Sequence, residues 1–565
     1  MKVSELPYQR VTIEQFQAVM RGVVDRIRRA GNVEEILAAR EDYLGIMTAY
    51  MTASSLSYMR YSINTADEFY VAEKDYYDQI GPEAESACLD YANALLESPF
   101  RPELEQKLSP VLFRSLEVQK KSMSPEIVPD MVEENKIVTE YSRLMASMEF
   151  EFRGEKMPRS ILMKYAKEED RQTRRACYEV LGRTMAQYAE QLDDIYDRLV
   201  HVRDRMARKM GYRNFVELGY YRMGRLCYDE AMVRVFRDNV LRDIVPVVAR
   251  LKTENARRLG ITDRYMFYDD GVTIPGGDPK PSQNKEDIFN AAREMYHEMG
   301  PDTGAFIDMM LQNEAFDVES RKNKWGGGYC TEFAQYRQPF ILANFNGTAG
   351  DVDVVTHEAG HAFAAYMTAD NRFKLELDVG GMETAETHSM SMEFFAWKYM
   401  EKFFGADSDK YRFMHAFDAF AFIPYGTIVD AFQHVVYENP DMTPAERNAA
   451  WNELEARFRP YLSTEGMPFL EEGRRWQYQM HIYESPFYYI DYCLAQVTAL
   501  QFLLASRKDY DDAFARYVNL LRQGGEKVFT DLLEEAGLQS PFKPGALAGV
   551  AGEMETLLAE LAAKI

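Results

Sequence analysis

The chain has 565 residues, of which 46% are hydrophobic and 28% are charged, a composition typical of globular proteins that form a core without disulfides. Its formal net charge of −24 repels phosphate backbones, so nucleic acid is not an expected partner. No apolar run of about 18 residues predicts a membrane span, the N-terminus lacks a signal-peptide core, and five scattered cysteines without a CxxC pair favour a reducing, cytoplasmic setting.

Helical periodicity dominates the chain. Apolar residues at three- and four-residue spacing predict helices over 168–208, 229–258 and 545–564. The proline- and glycine-rich segment 272–284 predicts a surface loop. Residues 325–347, WGGGYCTEFAQYRQPFILANFNG, depart from the pattern, because a run of glycines precedes β-favouring residues. They predict a small sheet whose edge either binds an extended peptide or is only structural.

The strongest motif, H-E-x-x-H, follows this segment. On a helix, His357 and His361 lie one turn apart on one face and can share a zinc ion. Glu358 projects beside the metal, where a carboxylate can accept a proton from water. Gly360 suggests that a substrate or a backbone segment approaches the helix closely. The alternative is a solvated surface cluster, but the flanking residues are mostly apolar, and buried polar groups need partners or a metal.

A catalytic zinc ion usually takes three protein ligands, and this motif supplies two. The segment 380–400, GGMETAETHSMSMEFFAWKYM, is helical in period and places Glu383, Glu386 and Glu393 on one face. Any of the three could reach the metal, and each alone is equally compatible with a salt-bridged surface acid. The residues by themselves leave the choice between Glu383 and Glu386 open.

A second constellation of polar aromatic residues lies in the segment 476–496. Its members are His481, Tyr483, Tyr488, Tyr489 and Tyr492. Phenol hydroxyls and an imidazole can donate hydrogen bonds to the oxyanion of a tetrahedral intermediate. The alternative is an ordinary aromatic core, and the zinc motif is what favours the catalytic interpretation.

Four stretches of the chain resemble the thimet oligopeptidase and oligoendopeptidase F family of zinc peptidases. They are WGGGYC (325–330), PFILANFNGTAGDVDVVTHEAGHAF (339–363), ETHSMSMEFF (386–395) and HIYESPFYYIDY (481–492). The resemblance implies a mostly α fold, a helical ellipsoid with a deep central channel and a small β-sheet next to the H-E-x-x-H helix. We expect residues 1–200 to form an N-terminal helical domain covering one side of the channel, and residues 201–565 to form the zinc-peptidase catalytic domain.

The resemblance also implies roles for single residues. Glu386 would be the third ligand of one Zn²⁺ per chain, and Glu393 would orient a ligand histidine. His481, Tyr488 and Tyr492 would act in catalysis by stabilising the transition state. The residues expected to bind substrate are Gly327, Gly328, Tyr483 and His388.

Together these features predict a zinc metalloendopeptidase that hydrolyses short oligopeptides with Glu358 as the general base. One alternative is a related metal-dependent carboxypeptidase or dipeptidase. Another is a peptide carrier without catalysis, which would not need Glu358, and a third is a scaffold with a structural zinc, which normally has four protein ligands. The oligomeric state is not determined by the sequence.

Overall fold

The computed structural model describes residues 1–281, 284–371, 374–377 and 380–565, and most of them are helical. Polar caps define the first helices, because the side chains of Thr12, Asn32 and Asp67 each accept a hydrogen bond from a backbone N–H of the first turn. The helices of the first 209 residues are α1 (Ile13–Arg29), α2 (Val33–Ile63), α3 (Glu68–Leu96), α4 (Arg101–Lys107), α5 (Pro110–Ser122), α6 (Val128–Ser147), α7 (Arg159–Leu162), α8 (Arg171–Ala186) and α9 (Ala189–Lys209).

The later helices surround the segments that carry the motifs. They are α10 (Phe215–Arg222), α11 (Glu230–Asn239), α12 (Val245–Arg258), α13 (Lys285–Met299), α14 (Pro301–Gln312), α15 (Gly350–Asp353), α16 (Ala359–Met367), α17 (Lys374–Leu377), α18 (Met382–Phe395), α19 (Glu401–Phe404), α20 (Ser408–Glu438), α21 (Pro444–Phe458), α22 (Met480–Glu484), α23 (Tyr489–Lys508), α24 (Tyr510–Arg522), α25 (Phe529–Glu535) and α26 (Ala548–Ala562). The predicted mostly α architecture is confirmed. No helix of the described part of the chain is both long and apolar enough to cross a membrane.

Two small sheets interrupt the helices. Strands β1 (Phe150–Phe152) and β2 (Glu155–Met157) form an antiparallel hairpin. Strands β3 (Phe316–Asp317), β4 (Tyr329–Phe333) and β5 (Gln338–Leu342) form a sheet in the order β3-β5-β4. β5 is fully buried and pairs antiparallel with β4, which is an edge strand. The sheet packs against α16, so the predicted small sheet next to the motif helix is confirmed.

The predicted helices are present with local differences. The segment 168–208 is divided between α8 and α9, which are separated at residues 187 and 188. In the segment 229–258, α11 and α12 are joined by a π-helical turn, Val240–Ile244. The segment 272–284 is irregular over its described residues, but 272–274 are buried, so its prediction as a surface loop is wrong in that part. The Thr273 hydroxyl anchors it by donating to Asp418 at 2.8 Å.

The hydrophobic interior consists of two main clusters. The smaller one is built from α1, α2, α3 and α5, together with Leu377. The larger one contains the sheet β3-β5-β4 and most helices from α6 to α26, and it also includes Leu56 and Met59 of α2 and Leu89 of α3. α2 is tied to that sheet, because its Thr52 hydroxyl accepts a hydrogen bond from the backbone N–H of Gln335 at 2.9 Å. The N-terminal helices are therefore held against the strand that leads to the motif.

Candidate metal centre and active site

Three side chains converge on one point near the motif helix. His357 Nε2 lies 3.5 Å from Glu386 Oε2, and His361 Nε2 lies 3.6 Å from the same oxygen. One candidate ligand atom from each residue lies within 4.8 Å of the others. Glu386 is buried, whereas the two histidines are partly exposed. The residues therefore form a compact N₂O donor set that is open on one side.

The helix that carries the motif is not a regular α-helix. His357 belongs to a π-helical turn, Val354–Glu358, and His361 belongs to α16. A single wide turn of this kind is common at functional sites. The sequence did not predict it, because no residue in the motif breaks the α-helical pattern.

Gly360 explains how the third side chain reaches the two histidines. A Cβ at this position would lie 2.7 Å from Ser389 Cα and 2.9 Å from the His388 carbonyl oxygen. Only glycine permits this approach, so α16 and α18 pack closely enough to bring Glu386 beside the motif. The close backbone approach expected at Gly360 is confirmed.

Glu386 is held by hydrogen bonds from two hydroxyl groups. Tyr488 Oη donates to Oε1 at 3.0 Å, and Ser389 Oγ donates to Oε2 at 3.1 Å. Burial opposes ionisation, but the neighbouring imidazoles of His357 and His361 and the hydrogen bond from Tyr488 lower the pKa of Glu386. The carboxylate is thus ionised and oriented toward the histidines.

Glu383, the alternative ligand, faces a different helix. It is buried, and the Tyr228 hydroxyl lies 3.3 Å from its Oε2 and 2.9 Å from Asp491 Oδ1. Arg225 Nη2 donates to the same Asp491 oxygen at 2.9 Å. Burial and the charge of Asp491 raise the pKa of Glu383 to about 8. Glu383 therefore belongs to a buried acid pair and not to the convergent triad.

Glu358 lies on the wall of a cavity of about 860 Å³ that also exposes His357, His361 and Glu386. Burial raises the pKa of Glu358, although the nearby His357 and a hydrogen bond from the backbone N–H of Cys330 oppose this. A carboxylate with a raised pKa beside a possible metal is suited to accept and return a proton.

Two sets of backbone atoms and side chains enclose this cavity. One set comprises residues 328–332, which include part of the edge strand β4. The other comes from α2, which packs against β4 and contributes Thr48, Met51 and Ser55. No local pattern in the sequence linked these α2 residues to the motif, because the contact joins segments about 300 residues apart.

Comparisons with known proteins identify the family of the chain. The family model for the peptidase M3 N-terminal domain matches residues 3–123, and the model for peptidase family M3 matches residues 285–551. The solved structure of PZ peptidase A with inhibitor 2 is 41% identical over 100% of both chains, with a TM-score of 0.94. The chain belongs to peptidase family M3. The family predicted from the four sequence stretches is confirmed.

Two further relatives of this M3 peptidase carry related names. A solved structure described as an oligoendopeptidase F from Bacillus anthracis strain Ames is 39% identical to this chain, with a TM-score of 0.89. The match covers 100% of this chain and 99% of the Bacillus anthracis chain. The oligopeptidase PepF of Bacillus subtilis strain 168 is 23% identical over 250 residues, 42% of this chain. That match spans only 36% of the length of PepF.

The aromatic constellation lies beside the metal triad. Tyr488 and Tyr492 line the cavity, and their ring centroids are 4.8 Å apart. His481 lies 5.8 Å from the ring of Tyr488 and 6.0 Å from that of Tyr492. The structure thus brings together the three side chains that were predicted to act in catalysis.

The tautomer of His481 is set by Gln479, a residue that the sequence analysis did not identify. The Tyr425 hydroxyl donates to Gln479 Oε1 at 2.7 Å, which directs the amide nitrogen toward His481 Nδ1, also at 2.7 Å. Because Nδ1 accepts this hydrogen bond, neutral His481 carries its proton on Nε2. Burial lowers the pKa of His481, although Glu386 opposes this, so the neutral form with one donor is favoured.

The residues predicted to bind substrate occupy different environments. Gly328 lines the cavity, whereas Gly327 does not and is covered by the indole of Trp325. His388 forms part of the cavity wall, but it is buried, and neither ring nitrogen has a hydrogen-bond partner among the described residues.

Tyr483 contradicts its predicted contact with substrate. It is fully buried, its ring stacks on Tyr141 with centroids 4.1 Å apart, and its hydroxyl donates to the Leu192 carbonyl at 3.4 Å. The short helix α22 turns this side chain, like that of Ile482, toward the interior. For Tyr483 the aromatic-core alternative is correct.

A second group of possible ligands, Glu230, His434 and Glu438, lies away from the cavity wall. Burial and the positive charges of Arg237 and Arg225 lower the pKa of His434 to about 3, although Asp430 opposes this. Cations around a site disfavour a bound metal ion. The triad beside Glu358 is therefore the better candidate.

Proposed function

We propose that this M3 peptidase is a zinc metalloendopeptidase that hydrolyses short oligopeptides. The observation that carries the proposal is the triad of His357, His361 and Glu386, which lies beside Glu358 on the wall of one cavity. Two imidazole nitrogens and one carboxylate oxygen are the donor set of many catalytic zinc sites that keep one position open. The residues present therefore fit a single zinc ion per chain.

The chemistry follows from the residues around the triad. A zinc ion held there would polarise the scissile carbonyl and acidify water. Glu358 accepts a proton as water attacks the carbonyl carbon and then delivers it to the nitrogen of the leaving amine. Its raised pKa brings it closer to neutral pH, so that both proton transfers are feasible.

Hydrogen-bond donors near the triad would stabilise the negative charge that develops on the substrate carbonyl oxygen. Tyr488 and Tyr492 keep their hydroxyl protons at neutral pH, because burial and the nearby Glu386 carboxylate raise the pKa of both phenols. The neutral imidazole of His481, whose ring lies beside both tyrosine rings, would supply an Nε2–H donor. Fixed donors of this kind stabilise an oxyanion more than they stabilise the neutral carbonyl.

Substrate would bind as an extended chain along β4. This edge strand borders the cavity, and an edge strand can bind an extended peptide as an added strand. We further propose that residues 1–200 form a domain that covers one side of the cavity, since α2 contributes to its wall. A cavity enclosed in this way favours short, unfolded peptides over folded proteins.

Internal cleavage is favoured over removal of C-terminal residues. A strict carboxypeptidase needs a cation to bind the terminal carboxylate. Arg337 is the only lysine or arginine among the described residues that line the cavity, and it already forms an ion pair with Asp370. Among the described residues of the cavity wall, no other guanidinium or ammonium group is therefore available to bind a peptide terminus.

The test is cleavage of a quenched fluorescent peptide of about nine residues, with the cut sites identified by mass spectrometry. Wild-type protein should cut at internal bonds, and Glu358→Gln should retain zinc but lose turnover by about 10²–10⁴-fold, the usual contribution of a general base. Cleavage confined to one terminus would refute endopeptidase activity. Equal cleavage by both proteins would refute the role of Glu358.

A further inference from the structure

His357 lies at the end of a hydrogen-bonded chain that runs from the cavity into the protein. His357 Nδ1 is 2.5 Å from Glu393 Oε1. The other oxygen of Glu393, Oε2, is 2.6 Å from His415 Nε2. Trp397 Nε1 in turn donates to His415 Nδ1 at 2.8 Å. The chain joins the motif helix, α18, the turn that follows α18, and α20.

The indole group at the inner end determines where the protons lie. An indole nitrogen can only donate, so His415 Nδ1 must accept. The single proton of neutral His415 is then on Nε2, which donates it to Glu393. The other oxygen of Glu393, Oε1, then accepts a hydrogen bond from His357 Nδ1. That arrangement keeps the lone pair of His357 on Nε2, the nitrogen that faces Glu386.

Packing holds this chain in one orientation. The His415 ring stacks between two aromatic rings, with centroid distances of 4.8 Å to Phe394 and 5.5 Å to Tyr411. The side chains of His415 and Glu393 are only 12% and 14% exposed. The Trp397 turn is itself fixed, since Arg412 Nε donates to its carbonyl oxygen at 3.0 Å. Water therefore has little access to replace a donor that is removed.

The two motif histidines differ in the group that orients each imidazole ring. His361 is oriented by the carbonyl oxygen of Ala385, whereas His357 is oriented by the Glu393 carboxylate. A carboxylate partner increases the basicity of a ligand imidazole, and a neutral carbonyl does so less. The hydrogen bond from His415 to Glu393 matters because it holds this carboxylate in place.

We propose that His415 and Trp397 are positioning residues of the metal centre: Trp397 sets the tautomer of His415, and His415 holds Glu393 so that His357 presents Nε2 to the metal. The proposal rests on the proposed function, in which His357 is a zinc ligand. Neither residue lines the cavity, so both act through Glu393 and not on the substrate.

The test compares His415→Leu with His415→Gln by measuring zinc affinity through competition with a chelator, beside the melting temperature of each zinc-free protein. Leucine removes the donor to Glu393 at similar volume, and the zinc Kd should rise by about 10–100-fold, as for loss of other groups that orient metal ligands. Glutamine can donate to Glu393 through its amide nitrogen and accept from Trp397 through its oxygen. It should restore most of the affinity.

The outcomes separate this proposal from the function on which it rests. A wild-type protein that binds no zinc would refute the proposed function. A wild-type protein that binds zinc, with an equal Kd in His415→Leu, would overturn the positioning role alone, even if the melting temperature fell. If His415→Leu does not fold, Trp397→Phe keeps an aromatic ring and removes only the indole donor. An unchanged zinc Kd in Trp397→Phe would then overturn the proposal.

Discussion

Replacing Glu383 with glutamine separates the two glutamates that compete for the role of third ligand. Burial and the neighbouring Asp491 raise the pKa of Glu383 from 4.5 to about 8. Between these values the folded protein binds more protons than the unfolded chain, so stability falls as pH rises. The stabilising contribution is complete below pH 4.5 and is lost as pH rises through about 8.

The magnitude follows from the same pair of values. A pKa change from 4.5 to about 8 corresponds to an upper limit of about 5 kcal/mol in the free energy of unfolding at high pH. Glutamine cannot ionise and retains hydrogen-bonding groups for Tyr228. The difference in free energy of unfolding between Glu383→Gln and wild type should therefore increase in favour of the variant from about pH 5 to about pH 9.

Urea unfolding at several pH values, with and without zinc, measures this difference. Glu134→Gln is the matched control, because Arg222 and Arg203 lower the pKa of Glu134 to about 2 against the effect of burial. Its carboxylate is ionised in both folded and unfolded states above about pH 5, so its difference from wild type should stay constant there. For Glu383→Gln, a difference in free energy of unfolding from wild type that does not change with pH would refute the buried acid pair. Loss of zinc from this variant would instead make Glu383 a ligand.

Three further predictions concern the catalytic residues. Glu386→Ala should weaken zinc binding far more than Glu383→Gln does, as measured by chelator competition, because it removes a ligand atom and leaves Glu358 intact; equal affinities would reject the proposed ligand set. Tyr492→Phe should lower kcat by about 10²–10³-fold with little change in KM, since it removes one donor to the oxyanion and leaves the hydrogen bond from Tyr488 to Glu386 intact; a change in KM alone would instead assign Tyr492 to ground-state binding. Gln479→Leu should lower kcat because His481 is no longer held as an Nε2–H donor, with zinc affinity unchanged, and an unaltered kcat would contradict this.

The sequence by itself determined the local part of the site. Two histidines four positions apart, with a glutamate after the first, define two candidate ligands and a base, because helical geometry fixes their relative positions. The period of apolar residues predicted a mostly helical chain, and β-favouring residues after a glycine run predicted the sheet. Gly360 indicated a close approach, although not which segment makes it.

Only the tertiary structure decided what depends on neighbours distant in sequence. Glu383 and Glu386 are three positions apart on α18, so the helical pattern cannot separate them. They differ because one faces Asp491 and Tyr228, whereas the other faces the motif helix. His415 gives no local signal, since its role depends on the packing of α20 against α18. Tyr483 differs from Tyr488 for the same reason: both are tyrosines in one motif, but the turn between α22 and α23 directs one into the core and the other into the cavity.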